Sequence, residues 1–452
     1  MNLRTVTGRA LLAVGAAGLC LVGAASVPTR AGSTPLDDRE RDLVGYFTAT
    51  PTDPVALLQA RMDRGERVLA YDRKHGYLPD ILAALRVPVS SQGLVFSKTS
   101  FQLERISPRA PRAIFFNDDV YVGHVQGSEI LEFSAVDPKL GAVFYILRNV
   151  PGGKPRFVRQ TYDCLQCHES GMTSGVPGHM VRSVFPTSDG RPDFGAGTYL
   201  VTDETPWTER FGGWYVTGAH GSMRHMGNAF TRGGDGYATL DREPGANRSH
   251  LSDFVDTRPY LAPGSDIVAQ LVLQHQARVH NRIVRAGWGT RLALADQRII
   301  DESLGRLGEG LSESTRGRIR SVCEPLVEAL LFVREAPLTS PVTGSSDFTR
   351  TFAARGARDR HGRSLRQFDL RTRLFRYPCS FLIHSDAFAA LPTEARAYVI
   401  GRLRTLLGAS EPAASYDHLS ADDRRALREI LEETLPDWKR FPEAVPAPPG
   451  RR

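Results

Sequence analysis

Alternating and continuous apolar runs between residues 94 and 147 predict an antiparallel sheet early in the chain. The runs are rich in β-branched and aromatic residues, and short polar segments at 117–119, 127–128 and 137–138 separate them. Runs bounded by Asn, Asp, Gly and Pro are typical of strands joined by tight turns. The pattern therefore predicts a β-meander or a set of hairpins in LVFSKTSFQL, AIFF, VYVGHV, EILEFSAV and AVFYIL, with FVRQ at 157–160 as a further strand.

Helical patterns lie on both sides of this predicted sheet. Segments 37–47 and 54–74 are predicted to be helical, and Asp53 before Pro54 is typical of an N-cap followed by proline at the first helical position. From residue 265 onward, apolar residues recur with the 3.6-residue period of one helix face. The members of this stripe are Val268, Leu271, Val272 and Val279.

Helix ends are also predicted in the later half of the chain. Ser265 or Gly264 is the predicted N-cap of the first late helix. The segment 392–408 ends at Gly408, which is the predicted C-cap. Ser420 stands three residues before Asp423, which is the pattern of a capping box.

The order of these elements predicts an α+β fold, with an early antiparallel meander, a loop-rich centre and a helical C-terminal region. The chain of 452 residues is 41% hydrophobic, which is enough for a large core and suggests two or three domains. The predicted divisions are a leader at 1–25, helices plus the sheet at 36–150, a loop-rich region at 151–262, a helical region at 263–439 and a disordered tail at 440–452.

The first residues have the layout of a secretory signal peptide. Arg4 and Arg9 form a positive start, residues 10–27 carry no charge, and small residues at 23–26 predict cleavage after Ala25. The protein is therefore expected to be exported, to the periplasm. An uncleaved N-terminal anchor facing the periplasm is the alternative, since about 18 apolar residues begin to suffice for a membrane span. Leu19 before Cys20 disfavours a lipoprotein.

The net charge of +7 bears on partners. The basic residues are scattered, and no basic tract stands beside aromatic stacking residues, so the sequence does not favour nucleic-acid binding. A positive surface would steer an acidic partner protein toward this chain. No segment after the leader is long and apolar enough to predict a transmembrane helix. Nucleotide-binding loops, G-x-S-x-G and H-E-x-x-H are also missing from the sequence.

The most informative motif is Cys164-Leu165-Gln166-Cys167-His168, a C-x-x-C-H. Two thiols three residues apart on a turn can form thioethers with both vinyl groups of one haem, and the next residue can bind its iron. C-x-x-C-H is the attachment pattern of haem c, and histidine is a common axial ligand. The motif therefore predicts one covalent haem, with Cys164 and Cys167 as anchors and His168 as the proximal ligand.

Two other uses of the motif have less support in the sequence. A structural zinc site needs four ligands, usually as two separated pairs, and the sequence has no second C-x-x-C and no H-x-x-x-H. A thiol–disulfide oxidoreductase places C-x-x-C at a helix start in a strand–helix unit. Here a strand is predicted before the motif, but the residues after it are loop-like. Haem attachment is the preferred interpretation.

The chain resembles the c-type cytochromes through this motif. It is also similar to a group of exported proteins with a cytochrome c domain, through four further segments: FNDDVYVG (116–123), GGWYVTGAHG (212–221), HQARVHN (275–281) and YPCSFLIHS (377–385). This resemblance covers most of the mature chain and implies haem and export, without an activity. The chain differs from a small class I cytochrome c, in which the motif lies near the start of a compact helical domain.

The sixth ligand of the iron decides the chemistry. Methionine suits electron transfer, a second histidine lowers the potential, and an open site suits peroxide or small-ligand chemistry. The candidates are His179, Met180, His225, Met226 and His275. Each has a structural alternative, and His275 in particular falls on the apolar stripe, where a histidine is more often hydrogen-bonded than ligating. A second, non-covalent haem is a further alternative, with His275 or residues 220–226 as its ligands.

Cys323 and Cys379 are left over once the motif and the leader are assigned. In an oxidising compartment they are candidates for a disulfide, and two separately buried thiols are the alternative. Together these features predict an exported monohaem c-type cytochrome that transfers single electrons. The alternatives are a peroxidase-like haem oxidoreductase with an open sixth site, and a haem-based ligand sensor.

Overall fold

The computed structural model describes residues 35–232, 239–410 and 414–441. Ten helices lie in these residues: α1 (Pro35–Val44), α2 (Pro54–Asp63), α3 (Leu78–Ala84), α4 (Leu165–His168), α5 (Ile267–Leu304), α6 (Glu313–Leu330), α7 (Phe348–Ala353), α8 (Asp386–Ala389), α9 (Thr393–Gly408) and α10 (Ala421–Thr434). The predicted leader lies outside the described residues, as do 442–452 of the predicted tail and 233–238.

Seven strands form one antiparallel sheet in the order β6-β5-β4-β3-β2-β1-β9. Its strands are β1 (Gly93–Val95), β2 (Arg112–Phe116), β3 (Val120–His124), β4 (Ile130–Asp137), β5 (Gly141–Arg148), β6 (Phe157–Gln160) and β9 (Trp214–Tyr215). Short two-stranded ribbons complete the set: β7 (Arg182–Val184) with β8 (Thr198–Leu200), β10 (Gly218–Ala219) with β13 (Thr343–Gly344), and β11 (Thr231–Arg232) with β12 (Thr239–Leu240). The α+β prediction is confirmed at this level.

The predicted turns between strands are stabilised by local side chains. The Asn117 side chain accepts hydrogen bonds from the main-chain N–H groups of Asp119 and Val120, at 3.0 and 2.9 Å. Asp137 does the same for Lys139 and Leu140, at 2.9 and 2.8 Å. These are the Asx turns that short polar residues favour, and they set the register of the hairpins.

The sheet has two different faces. Every second residue of each strand points to one face of the sheet. This face packs on α2 and α3 in a core that includes Phe115, Phe133 and Tyr145. The other face meets α5 and the segment that carries the C-x-x-C-H motif. The central strands β3, β4 and β5 pair in register, so Tyr121, Ser134 and Phe144 lie directly opposite one another on that second face.

Helix α5 is the axis of the fold. All of its residues from 267 to 281 are buried, so the predicted single apolar stripe was too narrow. The helix contributes to two cores, because Leu271 and Val279 pack with the C-terminal helices whereas Trp288 packs with the sheet. The predicted cap was wrong. Asp266 caps α5, and the Ser265 hydroxyl instead donates to the Tyr215 carbonyl at 2.7 Å.

Several helix and strand ends differ from the predictions. Helix α2 stops at Asp63 instead of residue 74, because Gly65 takes a left-handed conformation with φ +75°. The strand predicted over 94–103 is limited to β1, since the main-chain N–H groups of Phe96 and Ser97 turn to the Gly213 carbonyl. Gly408 is the last residue of α9, not its cap.

Two predicted helix starts are confirmed. Asp53 accepts hydrogen bonds from the N–H groups of Val55 and Ala56 at the start of α2. Ser420 and Asp423 form the expected capping box at the start of α10. Within the described ranges, none of the helices is both long and apolar enough to span a membrane.

Candidate haem-attachment site

The C-x-x-C-H motif occupies a single helical turn. Strand β6 leads the chain to it, and α4 begins at Leu165 with Cys164 as its N-cap. The N–H groups of Cys167 and His168 both donate to the Cys164 carbonyl, at 3.3 and 2.9 Å. Leu165 is buried and anchors the turn, whereas Cys167 is exposed and Cys164 is half-buried. Both thiols and the imidazole therefore project from one short, anchored turn.

The His168 ring is held in a defined orientation. Its Nδ1 atom lies 2.9 Å from the Gly178 carbonyl oxygen, and the Gly178 N–H donates back to the His168 carbonyl at 2.9 Å. A carbonyl only accepts, so Nδ1 carries the proton and Nε2 carries the lone pair. The ring also packs on Phe144, with 4.8 Å between centroids. Burial lowers the pKa of His168, which favours the neutral form that binds metals.

Asn281 of α5 fixes the main chain next to Gly178. Its side-chain oxygen accepts from the His179 N–H at 2.8 Å, and its amide donates to the His179 carbonyl at 2.7 Å. A Cβ at Gly178 would lie 2.3 Å from that oxygen, so the residue at 178 must be glycine for the two segments to approach this closely. The two hydrogen bonds of Asn281, called the Asn281 clamp below, thus fix the position of the Gly178 carbonyl, which is the acceptor that orients His168.

One row of the sheet supports both histidines of this segment. Tyr121 stacks on His179 with 4.2 Å between ring centroids, and the Ser134 hydroxyl lies 2.7 Å from His179 Nε2. Phe144, next in the same row, contacts His168. The sheet therefore fixes the positions of His168 and His179. Helix α5 adds the hydrogen bonds of Asn281 to the main chain at residue 179.

The next row of side chains on the same face of the sheet is partly exposed to solvent. It contains Glu132, Ile146 and Val158, which are directly opposite one another, and Val158 is 50% exposed. Arg112 lies over Gly123 in this row and pairs with Glu132 at 2.5 Å. Arg112 Nε and Glu132 Oε1 are buried and have no hydrogen-bond partner among the described residues. Ile146 and Val158 supply apolar surface for a porphyrin face, and the Arg112–Glu132 pair beside them leaves one donor and one acceptor unpartnered in the described structure.

Two observations bear on the other uses of the motif. Among the described residues, no three or more His, Cys, Asp or Glu side chains are grouped so that they could hold a metal ion. Burial, together with the charges of Glu132 and Asp163, raises the pKa of the Cys164 thiol to about 11. A reactive C-x-x-C cysteine instead needs a lowered pKa, since the thiolate is the nucleophile. The environment of Cys164 is thus unlike that of a thiol–disulfide oxidoreductase.

Of the five candidate sixth ligands, His179 and Met180 lie nearest the motif in the chain. Both line a cavity of 130 Å³ beside α5, together with Met172. His179 Nδ1 is buried and has no partner among the described residues. Burial and the charge of neighbouring His280 keep the pKa of His179 well below its usual value.

His225 and Met226 lie in an aromatic pocket of the loop-rich region. The His225 ring packs on Phe211 at 5.2 Å and on His220 at 4.5 Å, and its Nδ1 accepts from the Gly227 N–H at 3.0 Å. Met226 is fully buried. In the described structure neither residue touches the motif.

His275 has the surroundings of a structural residue. Its Nε2 lies 2.8 Å from the Ser380 hydroxyl, its Nδ1 lies 3.4 Å from an Asp203 carboxylate oxygen, and its ring stacks on Phe332 at 4.0 Å. Both ring nitrogens are therefore occupied. The residue types match a Ser–His–Asp triad, but all three are at most 3% exposed and Asp203 is also paired with Arg278 at 2.9 Å. A substrate cannot reach Ser380 in this arrangement.

The structure does not contain the disulfide that was one alternative for Cys323 and Cys379. Both are free thiols and fully buried. Cys323 lies in α6, and Cys379 precedes the turn at 381–384. Burial raises the pKa of each thiol to about 12, so both are unreactive in the folded protein.

Three residues that shape the site were not predicted from the sequence. Gly178, Phe144 and Asn281 act through contacts that span long stretches of chain. Gly178 had a weak local signal, since it follows Pro177 in a loop. Asn281 lies in one of the four segments of the resemblance, but its role depends on a contact 102 residues away.

Comparisons with models of protein families, with curated proteins and with solved structures give no match to this chain.

Proposed function

We propose that this chain is an exported monohaem c-type cytochrome that transfers single electrons. Cys164 and Cys167 would hold the haem covalently, and His168 would bind its iron. The observation that carries the proposal is the hydrogen bond from His168 Nδ1 to the Gly178 carbonyl. It leaves the lone pair on Nε2 of a histidine whose turn also presents two thiols.

Each cysteine has a defined part in attachment. A thiol S–H adds across one vinyl C=C, which forms one C–S bond and one C–H bond with no net oxidation or reduction. Two thiols on one turn meet the two vinyl groups of a single porphyrin edge. The exposure of Cys167 and the partial exposure of Cys164 allow this reaction in the folded chain or during folding.

The remaining residues hold and tune His168. A metal-ligating histidine usually donates its other ring N–H to a carbonyl or carboxylate, which fixes the tautomer and raises ligand basicity. Gly178 supplies that acceptor, Asn281 fixes the Gly178 segment, and Phe144 restricts the ring. Arg112, whose Nε has no partner among the described residues, would donate to a haem propionate. When bound, haem c supplies reversible one-electron chemistry at its iron.

The charge of the chain supports an acidic electron-transfer partner. The net charge is +7, or +5 once a leader that contains Arg4 and Arg9 is removed, and a net positive charge raises the rate of encounter with an acidic protein. Such steering weakens as ionic strength rises, because the screening length shortens to about 8 Å at physiological salt.

The test is a haem stain on a denaturing gel together with a pyridine haemochrome spectrum. The full chain would be expressed with a periplasmic haem-maturation system. We expect a c-type spectrum and one haem per chain, and loss of covalent haem when Cys164 and Cys167 are both changed to Ala. Cys323→Ala is the matched control, because it removes a thiol elsewhere and should keep the haem. A wild-type chain without covalent haem would contradict the proposal.

A further inference from the structure

The chain segment 40–49, called the N-terminal strap below, contacts both ends of the C-x-x-C-H turn. It consists of the last residues of α1 and the turn that follows them. Phe47 stacks on Tyr162, two residues before the motif, with 5.8 Å between ring centroids and 14° between ring planes. Arg41 Nε lies 3.0 Å from the carboxylate of Glu169, the residue directly after the motif. The strap therefore holds the motif on its N-terminal and on its C-terminal side.

Arg41 joins these two contacts. Besides its ion pair with Glu169, its guanidinium lies over the ring of Phe47, at 6.0 Å from the centroid. The side chains of Arg41 and Glu169 are only 9% and 10% exposed. Removing one partner of such a pair is costly, because the other is left as an uncompensated charge in a site with little water. One arginine thus links the residues that flank the motif.

The strap is itself fixed to α5 and to the sheet, the two elements that position the motif segment. Glu40, which is 5% exposed, pairs with Arg285 of α5. The Tyr46 hydroxyl donates to the Ala142 carbonyl in β5 at 2.8 Å. In return, Arg159 of β6 donates to two main-chain carbonyls of the strap. The strap is therefore a firm support for the side chains that it presents to the motif.

The ion pair also places two opposite charges beside the residue proposed to bind iron. Glu169 directly follows His168, and its N–H donates to the Leu165 carbonyl at 3.0 Å, so it belongs to the same helical turn. A negative charge near a redox centre stabilises the oxidised form, which carries more positive charge, and a nearby positive charge has the opposite effect. Arg41 therefore offsets the effect that the Glu169 carboxylate alone would have on the iron.

We propose that Arg41 is a positioning residue of the haem-attachment turn and acts through Glu169 and through the stack of Phe47 on Tyr162. It keeps the turn in the conformation that presents both thiols and the imidazole together, and its charge keeps the potential of the iron from falling. The inference rests on the proposed function, because it takes this turn as the site of haem attachment. Arg41 lies more than 100 residues before the motif, so spacing in the sequence does not identify it.

The first test uses the full mature chain without haem, expressed without its leader in a reducing cytoplasm. Iodoacetamide labels the half-buried Cys164, and peptide mass spectrometry gives the rate. In Arg41→Gln we expect labelling at least about tenfold faster than in the natural chain, because the turn loses its support. Combining Arg41→Gln with Glu169→Gln should restore most of the protection, since no buried charge is then left alone.

The matched control is Arg298→Gln, which breaks an exposed ion pair on α5 and should label at the natural rate. Equal rates in Arg41→Gln and in this control would overturn the positioning role. If Arg41→Gln does not fold, Phe47→Leu takes its place, because it removes the stack on Tyr162 and leaves every charge intact. It should also speed the labelling of Cys164, and an unchanged rate would overturn the same role.

The second test measures the midpoint potential of the haem-loaded chain by spectroelectrochemistry. We expect a lower potential for Arg41→Gln and a higher one for Glu169→Gln, each with at least about a threefold change in the ratio of ferric to ferrous haem at a fixed applied potential. A purely structural role would shift both variants in the same direction, and that result would overturn the charge effect. A natural chain that takes up no covalent haem would contradict the proposed function, whereas the labelling rates would still decide whether Arg41 holds the turn.

Discussion

His168 and Gly178 are joined by two hydrogen bonds. The imidazole Nδ1 donates to the Gly178 carbonyl at 2.9 Å, and the Gly178 N–H donates to the His168 carbonyl at 2.9 Å. The turn of the C-x-x-C-H motif and the loop after it therefore form one unit.

A methyl group at residue 178 should disturb the contact with α5. In Gly178→Ala the new Cβ would meet the Asn281 side-chain oxygen at 2.3 Å, so one of the two segments must shift. Overpacking of this kind costs about 1–3 kcal/mol. We expect that loss in the free energy of unfolding, measured by chemical denaturation. Gly171→Ala is the control, since nothing lies within 4 Å of its Cβ position. Equal stability of the two variants would show that the close approach is unimportant.

The clamp itself can be removed with Asn281→Ala. The His179 N–H and carbonyl would lose their partners at a buried position. A buried main-chain group left unpaired costs about 1–3 kcal/mol, so we expect a loss of that size or larger. Arg298→Ala, which breaks an exposed ion pair on the same helix, should cost less than about 0.5 kcal/mol. A loss as small as that of the control would contradict the role given to Asn281.

Glu335 should make the fold less stable as pH rises. Burial raises its pKa to about 7, and the charge of Asp203 adds to this effect. Between pH 4.5 and 7 the folded chain therefore binds more protons at this site than the unfolded chain, so stability falls with rising pH. Glu335→Gln keeps the acceptor for the Leu374 N–H and removes the titration.

The difference between Glu335→Gln and the natural chain isolates this group. Relative to the natural chain, we expect the variant to gain about 2–3 kcal/mol in the free energy of unfolding as pH rises from 5 to 8, measured by urea denaturation at each pH. Glu104, which is exposed, supplies the control substitution, Glu104→Gln, measured at the same two pH values. A gain for Glu335→Gln that does not change with pH would disprove the assignment.

The thiol count tests the state of Cys323 and Cys379. Because both are buried free thiols, the native protein should not react with a thiol reagent, and the denatured mature protein should show two reactive thiols without prior reduction. This count assumes that Cys164 and Cys167 are thioethers and that Cys20 leaves with the leader. A disulfide would leave none to react before reduction. Replacing both residues with Ala is the control and should remove the signal.

Local sequence signals predicted part of this fold. Asn117 and Asp137 bond to main-chain groups two and three residues away, so the hairpins follow from short stretches of chain. Asp53 and Ser420 cap their helices in the same local way. Gly65, which ends α2 in a left-handed conformation, is also a local signal, since glycine commonly follows the last residue of a helix.

Contacts between distant segments were not predictable in this way. Strand β9 joins the sheet beside β1, although about 120 residues separate them in the chain, and no turn pattern announces that pairing. The candidate site also combines local and long-range features. The three motif residues can be identified from their spacing in the sequence. The Gly178 acceptor and the Asn281 clamp depend on the packing of α5 against the loop, which the sequence does not reveal. His275 was ambiguous because one sequence pattern fits both a ligand and a buried, hydrogen-bonded residue.

The most direct test of the central proposal is the intact mass of the mature chain, measured under denaturing conditions after periplasmic expression. Denaturation removes any haem that is only bound through its iron, whereas thioether bonds survive. We predict the mass of the chain plus one haem, and the mass of the chain alone for the variant in which Cys164 and Cys167 are both Ala. A natural chain with no added mass, whose motif cysteines both react with an alkylating reagent, would contradict the account.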